Sequence, residues 1–170
     1  MRYLIAFVVM ALLSVITALP SFALCYDRDD NGRQTRFQLA EGEATDRRTG
    51  LVWQRCSAGR RWDAKLGCAG EVQRFTLDDA QSFATAQGNG WRVPNGAELQ
   101  SLVDRTCSEP VVDAEVFPDI RPNEEGLAKF WTTSPVGMLD LYYNFDFLTG
   151  AADGNSRGIA LNLRLVRSAR

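Results

Sequence analysis

Four cysteines, all placed beyond an apolar leader, constrain this chain more than any other feature. The leader carries Arg2 ahead of an unbroken apolar stretch. Pro20 then breaks any helix, and Ser21 and Ala23 stand where a signal peptidase reads small residues. The pattern predicts a cleaved signal at residues 1–23. The apolar stretch is short for an uncleaved anchor, which takes about 20 apolar residues. Leu24 directly before Cys25 is a poor match to a lipoprotein signal. Export leads to an oxidising compartment, where an even cysteine count implies disulfides. Cys25, Cys56, Cys68 and Cys107 allow three pairings, and spacing alone does not separate them. The short Gly- and Arg-rich loop between Cys56 and Cys68 favours a local staple, which leaves Cys25 with Cys107. A zinc site is the weaker reading, since there is no Cys-x-x-Cys pair and no histidine.

Organisation follows from turn and cap signals. Residues 24–36 are polar and read as an arm, and residues 37–170 read as one domain. From Phe37 to Trp53 the chain reads as strands, with turns at Glu41-Gly42-Glu43 and at Thr49-Gly50. Thr76 is an N-cap with Asp79 three residues on, and Leu77, Ala80, Phe83 and Ala84 give that helix an apolar face ending at Gly88 or Gly90. Pro94 makes Val93 extended, Asn95 caps a second helix, and Glu98 completes a capping box. Leu99, Leu102 and Val103 continue at helical spacing, which predicts a helix running to about Thr106. Trp91 is expected in the core. Pro110, Pro118 and Pro122 mark an irregular stretch. Strands are expected at 129–133, at 141–147 and at 159–166, where Leu161, Leu163 and Leu165 alternate. Gly150 marks a turn, and no internal repeat stands out. Two helices packed on one twisted antiparallel sheet, stapled by disulfides, is the α+β architecture expected.

Composition narrows function. The 170 residues are 45% hydrophobic and 24% charged, an ordinary globular balance, and the net charge of −2 argues against a nucleic-acid partner. Without histidine, Ser-His-Asp and Cys-His catalysis are excluded. Carboxylate pairs such as Asp78 with Asp79 or Glu124 with Glu125 could serve glycoside hydrolysis, but a helix start and a solvated loop explain them equally well. Asp27, Asp29, Asn31 and Gly32 mimic half of a calcium loop, but Gln38 stands where the closing Glu belongs. No metal or cofactor is therefore expected. Arg47, Arg48, Arg55, Arg60, Arg61 and Lys65 crowd one segment around Trp62. Of these, Arg55, Arg60, Arg61 and Lys65 are candidate contacts for a polyanion, with Trp62 offering a face for a sugar ring.

Several landmarks occur in order: residues 44–56 ending in Leu51-Val52-Trp53-Gln54-Arg55-Cys56, residues 90–104, Val116-Phe117-Pro118, residues 130–135, and Leu163-Arg164-Leu165-Val166-Arg167. Together they resemble the Lcl C-terminal domain family, named after a bacterial collagen-like adhesin. The first turn departs from the pattern, with Glu41-Gly42-Glu43 where Gly-Asp-Gly is common. The resemblance implies an exported bacterial domain, periplasmic or at the cell surface, related in fold to C-type lectins and formylglycine-generating enzymes. Glu109-Pro110 and Asn144-Phe145-Asp146 only loosely echo the sugar-binding triplets of C-type lectins. Formylglycine-generating chemistry needs free thiols, which the disulfides would consume. The expectation is a non-catalytic binding domain for anionic glycans or cell-surface polysaccharide. The alternative is a structural envelope protein that recognises a protein partner.

Overall fold

The computed structural model describes Cys25 and residues 35–169. The expected signal, most of the arm and the Asp27–Asn31 calcium-like segment lie outside the described residues. The chain first forms a meander of β1 (Phe37–Ala40), β2 (Glu43–Asp46) and β3 (Leu51–Gln54). The last strand, β9 (Val166–Ser168), returns antiparallel to β3, so the sheet order is β1-β2-β3-β9. Between these ends lie the hairpin β4 (Arg61–Asp63) and β5 (Gly67–Ala69), α1 (Leu77–Gln87) and α2 (Gly96–Gln100). A second meander follows, of β6 (Lys129–Pro135), β7 (Leu141–Asp146) and β8 (Ala151–Ser156). The class is α+β, but the expected single sheet is three separate antiparallel sheets of four, two and three strands. Two disulfides close the fold, Cys25–Cys107 and Cys56–Cys68.

The three-stranded sheet divides the interior. Successive side chains of a strand point to opposite faces. Phe130 therefore enters one core with Trp53, Leu99, Phe117 and Phe147, while Trp131 enters the other with Phe75, Leu77, Leu163 and Leu165. Phe145 and Tyr142 repeat the division on β7. The indole N–H of the buried Trp131 donates to the Phe75 carbonyl at 2.7 Å, so its burial leaves no orphan donor.

Both helices start as expected. The Thr76 hydroxyl accepts from the Asp79 amide, and Asn95 and Glu98 form a reciprocal capping box. The end of α2 does not follow the apolar spacing. The helix stops at Gln100, and the chain tightens into i→i+3 bonds from Leu102 to Leu99 and from Val103 to Gln100. Asp104 then turns the chain. Its amide donates to the Val111 carbonyl, and its carboxylate accepts from the amide and hydroxyl of Thr106. Leu99 and Leu102 still reach the core, so the periodicity was set by burial and not by a longer helix. Trp91 is only half-buried: it packs on the edge of the second core and lines a surface recess, with the Arg167 guanidinium over its ring at 5.0 Å. Residues 159–165 are not a regular strand; they are held by bridges from Leu161 to Phe75 and from Asn162 to Phe130.

Two turns are built alike. In Asp46-Arg47-Arg48-Thr49-Gly50, the Asp46 carboxylate accepts from the Arg48 amide and the Thr49 hydroxyl, and the Gly50 amide donates to the Asp46 carbonyl. In Asp146-Phe147-Leu148-Thr149-Gly150, the same three bonds run from Leu148, Thr149 and Gly150 to Asp146. Each turn opens a hairpin, β2–β3 or β7–β8. The shared Asp-x-x-Thr-Gly pattern is too short to stand out as a repeat in the sequence.

Candidate functional site

The β4–β5 hairpin carries three of the expected contact residues. Its turn is held by Asp63, whose carboxylate accepts from the Lys65 and Leu66 amides, and these bonds hold its pKa below the ordinary value. Trp62 pairs with Cys68 across the hairpin, and the Cys56–Cys68 bond ties the hairpin to the end of β3. Trp62 seats against the first turn: a Cβ on Gly42 would come within 2.9 Å of the Trp62 Cβ. Arg61 and Lys65 are exposed, and Arg60 is half-buried.

Arg55 is not available to a ligand. It is buried, and its guanidinium donates to the carbonyls of Val116 at 3.1 Å, Glu41 at 2.9 Å and Glu115 at 2.8 Å. It also packs on Trp62, whose ring centroid lies 3.6 Å from the guanidinium carbon. Burial lowers the pKa of Arg55 from its ordinary high value. Arg55 therefore braces Trp62 from behind. Arg47 and Arg48 belong to the β2–β3 turn, where they donate to the carbonyls of Thr35 and Ser101.

A buried ion pair brings distant segments to Arg60. Arg164 and Asp119 are both buried, with Nη2 to Oδ1 at 2.8 Å. Arg164 also donates to the carbonyls of Gln54 and Arg55 and to the Ser57 hydroxyl. Asp119 accepts from the Ser57 amide at 2.7 Å. Burial works to raise the Asp119 pKa, but the Arg164 charge and the bonds from Ser57 and Arg164 outweigh it, and the group titrates below the ordinary carboxylate range. This locks the 119–123 segment onto the end of β3. On the other side, Gly59 has φ +92°, and a Cβ there would lie 2.5 Å from the Gln73 amide nitrogen. Only glycine lets segment 71–74 cross so closely.

The result is an open cleft of about 350 Å³. Arg60, Arg74 and Arg121 line it, with Glu71, Asn123 and Asn162, above a wall of Ser57 and Asp119. Among the described residues Arg60 and Arg74 have no carboxylate partner, and the Arg121 side chain bonds only the neighbouring Ile120 carbonyl. The Arg60 Nε is buried with no partner. Asp119 is already neutralised by Arg164, so the cleft carries excess positive charge with the geometry to receive an oxyanion.

The other expected constellations are not assembled. Asp78 pairs with Arg157, Asp79 closes the α1 cap with Thr76, and Glu124 and Glu125 are exposed in a loop. Asn144 and Asp146 are buried and serve the fold, Asn144 by bonding Asn155 and Asp146 by bonding the Ala128 amide. No cluster of three or more metal-ligating side chains exists among the described residues.

Comparison with known families places this architecture. The family model for the Lcl C-terminal domain matches residues 42–167. The chain belongs to the Lcl C-terminal domain family. A search of curated proteins found no match. The matched region of this Lcl C-terminal domain contains the Cys56–Cys68 staple, the arginine cleft and the ion pair behind it. Cys25 lies outside the match, so the Cys25–Cys107 bond ties a segment beyond the family region to the Lcl domain. Arg74 and Arg121 were missed by sequence reasoning because they stand alone in loops, far along the chain from the Arg60-Arg61 pair. No local signal marks them.

Proposed function

We propose that this Lcl C-terminal domain is a non-catalytic, exported binding module that recognises anionic glycans at the Arg60–Arg74–Arg121 cleft. The carrying observation is three guanidiniums around one cleft with no carboxylate ion pair among the described residues, in a chain whose net charge is −2. Arg61 and Lys65 add exposed positive charge on the neighbouring hairpin. The absence of histidine in the whole chain supports binding over acid–base catalysis. The apolar leader and the two disulfides support export.

Retention on a heparin column, read as the salt concentration for elution, tests the reading. Arg60→Glu, Arg74→Glu and Arg121→Glu are each expected to elute at lower salt, whereas Arg105→Glu, outside the cleft, elutes with the parent. Unchanged elution of all three cleft variants defeats it. The alternative of a protein partner draws on the exposed apolar side chains of Met138 and Leu139 at the β6–β7 turn. A stable crosslinked protein in intact cells, with no heparin retention, would favour that alternative.

A further inference from the structure

A second recess, of about 530 Å³, lies on the other side of Arg60. Three aromatic side chains line it: Trp62 from β4, Phe83 from α1 and Trp91 from the link between the helices. Each is braced from outside the recess. Arg55 packs on Trp62 at 3.6 Å, Arg167 on Trp91 at 5.0 Å, and Phe75 lies 4.8 Å from Phe83, centroid to centroid. Arg167 is itself held by Glu43 at 2.7 Å. The rings are therefore fixed before any ligand arrives, which reduces the ordering cost of binding.

Much of the polar lining is unspent. Glu41, Glu43, Arg60 and Arg61 line the recess, and Glu43 is already paired with Arg167. The side chains of Glu41, Gln54 and Gln87 make no hydrogen bond among the described residues. Each amide offers both donors and an acceptor, and the carboxylate offers acceptors only. Fixed aromatic planes beside free amides suit a ligand with an apolar face and a rim of hydroxyls. A hexopyranose ring has that form, and a recess of this size holds one or two of them. The Glu41 carboxylate, with no cation partner among the described residues, repels an anionic unit and can accept from the hydroxyls of an uncharged one.

We propose that this groove binds an uncharged hexopyranose unit, stacked on the tryptophans and hydrogen-bonded by Gln54 and Gln87. Arg60 borders both recesses, so the ligand is a glycan in which a neutral sugar adjoins an anionic one. The inference rests on the glycan reading above and adds the neutral unit and its residues.

Tryptophan emission of the oxidised, full-length mature chain is titrated with cellohexaose, maltohexaose and chitohexaose. At least one is expected to give a saturable change. In the Gln54→Ala/Gln87→Ala double variant its apparent Kd rises about tenfold, the loss of two hydrogen bonds at the low end of their usual worth. Thermal melting stays unchanged, since neither side chain bonds the fold. Silence from all three sugars, or an unchanged Kd in the double variant, overturns the inference. Heparin retention separates the two sites. Retention with silent neutral sugars defeats the groove alone, and a neutral-sugar response with Arg-independent heparin elution defeats the cleft alone.

Discussion

Arg164 is the residue on which the most structure depends, and it sits in a sequence position that suggests the opposite. Alternating Leu163, Arg164 and Leu165 reads as two core residues flanking an outward one. All three are buried, and Arg164 points away from the leucines to lie 4.8 Å from the Phe117 ring centroid and beside Asp119. An arginine is tolerated there because two carbonyls, a hydroxyl and a carboxylate receive the donors of its two Nη atoms, although its Nε is buried with no partner. Removing one partner of such a pair leaves the other charge buried and unpaired, at a cost of about 3–5 kcal/mol. Asp119→Ala is expected to lose that much in urea unfolding, more than any single substitution on the exposed hairpin. The pair also predicts acid sensitivity. Asp119 and Asp46 both titrate below the ordinary carboxylate value: burial opposes this in each, and Arg164 or Arg36, with backbone and side-chain hydrogen bonds, prevails. The unfolded chain therefore takes up protons first as the pH falls. The stability from these groups is complete above an unfolded pKa of about 3.9 and is lost as the pH drops through the lower folded values. The urea midpoint should be nearly flat from pH 7 to 5 and fall steeply below about pH 4 in the parent, and less steeply in Asp119→Asn.

At the scale of elements, both helix starts and the end of α1 at Gly88 were legible, and the end of α2 was not. A cap is a local contact, so Thr76, Asn95 and Glu98 announce their helices within four residues. Asn95→Ala should cost about 1 kcal/mol by the same unfolding measurement. The end of α2 depends on Val111 and Cys107 catching the chain, and neither is near in sequence. β8 was invisible for a related reason. Ala151-Ala152-Asp153-Gly154-Asn155-Ser156 has no strand former, yet six residues pair in register with β7 because the Asp146 turn delivers them there. The twin turns permit a paired test. Gly50 and Gly150 both have positive φ, +70° and +75°. Around Gly50 a Cβ meets nothing within 4 Å, whereas at Gly150 it meets the Val103 and Val111 methyls at 3.3 Å. Gly50→Ala is expected to cost about 1–2 kcal/mol for backbone strain alone. Gly150→Ala should cost about 1 kcal/mol more from overpacking, and equal losses in urea unfolding would contradict the packing argument.

The whole molecule is two cores on either side of one sheet, closed by two covalent ties. The Cys56–Cys68 bond spans 12 residues and the Cys25–Cys107 bond spans 82. Loop-closure entropy assigns about 3 kcal/mol to the shorter and more than about 4 kcal/mol to the longer. Paired serine variants of Cys25 and Cys107 should therefore lower Tm more than those of Cys56 and Cys68. The second pair should instead cost heparin retention, because the hairpin bearing Arg61 and Lys65 is no longer tied to β3.

By itself the sequence determined the features set within a few residues: both helix caps, the turns of the first meander, the even cysteine count and the catalytic classes that an absent histidine removes. The tertiary structure alone decided where the arginines stand. Arg55 and Arg60 are near neighbours in the chain, yet one is buried bracing a tryptophan and the other faces the cleft. Arg74 and Arg121 join Arg60 only because Gly59 permits a close crossing and a buried Arg164–Asp119 pair pins a distant loop. Charge acts through space, and the fold sets those distances with contacts that no local pattern encodes.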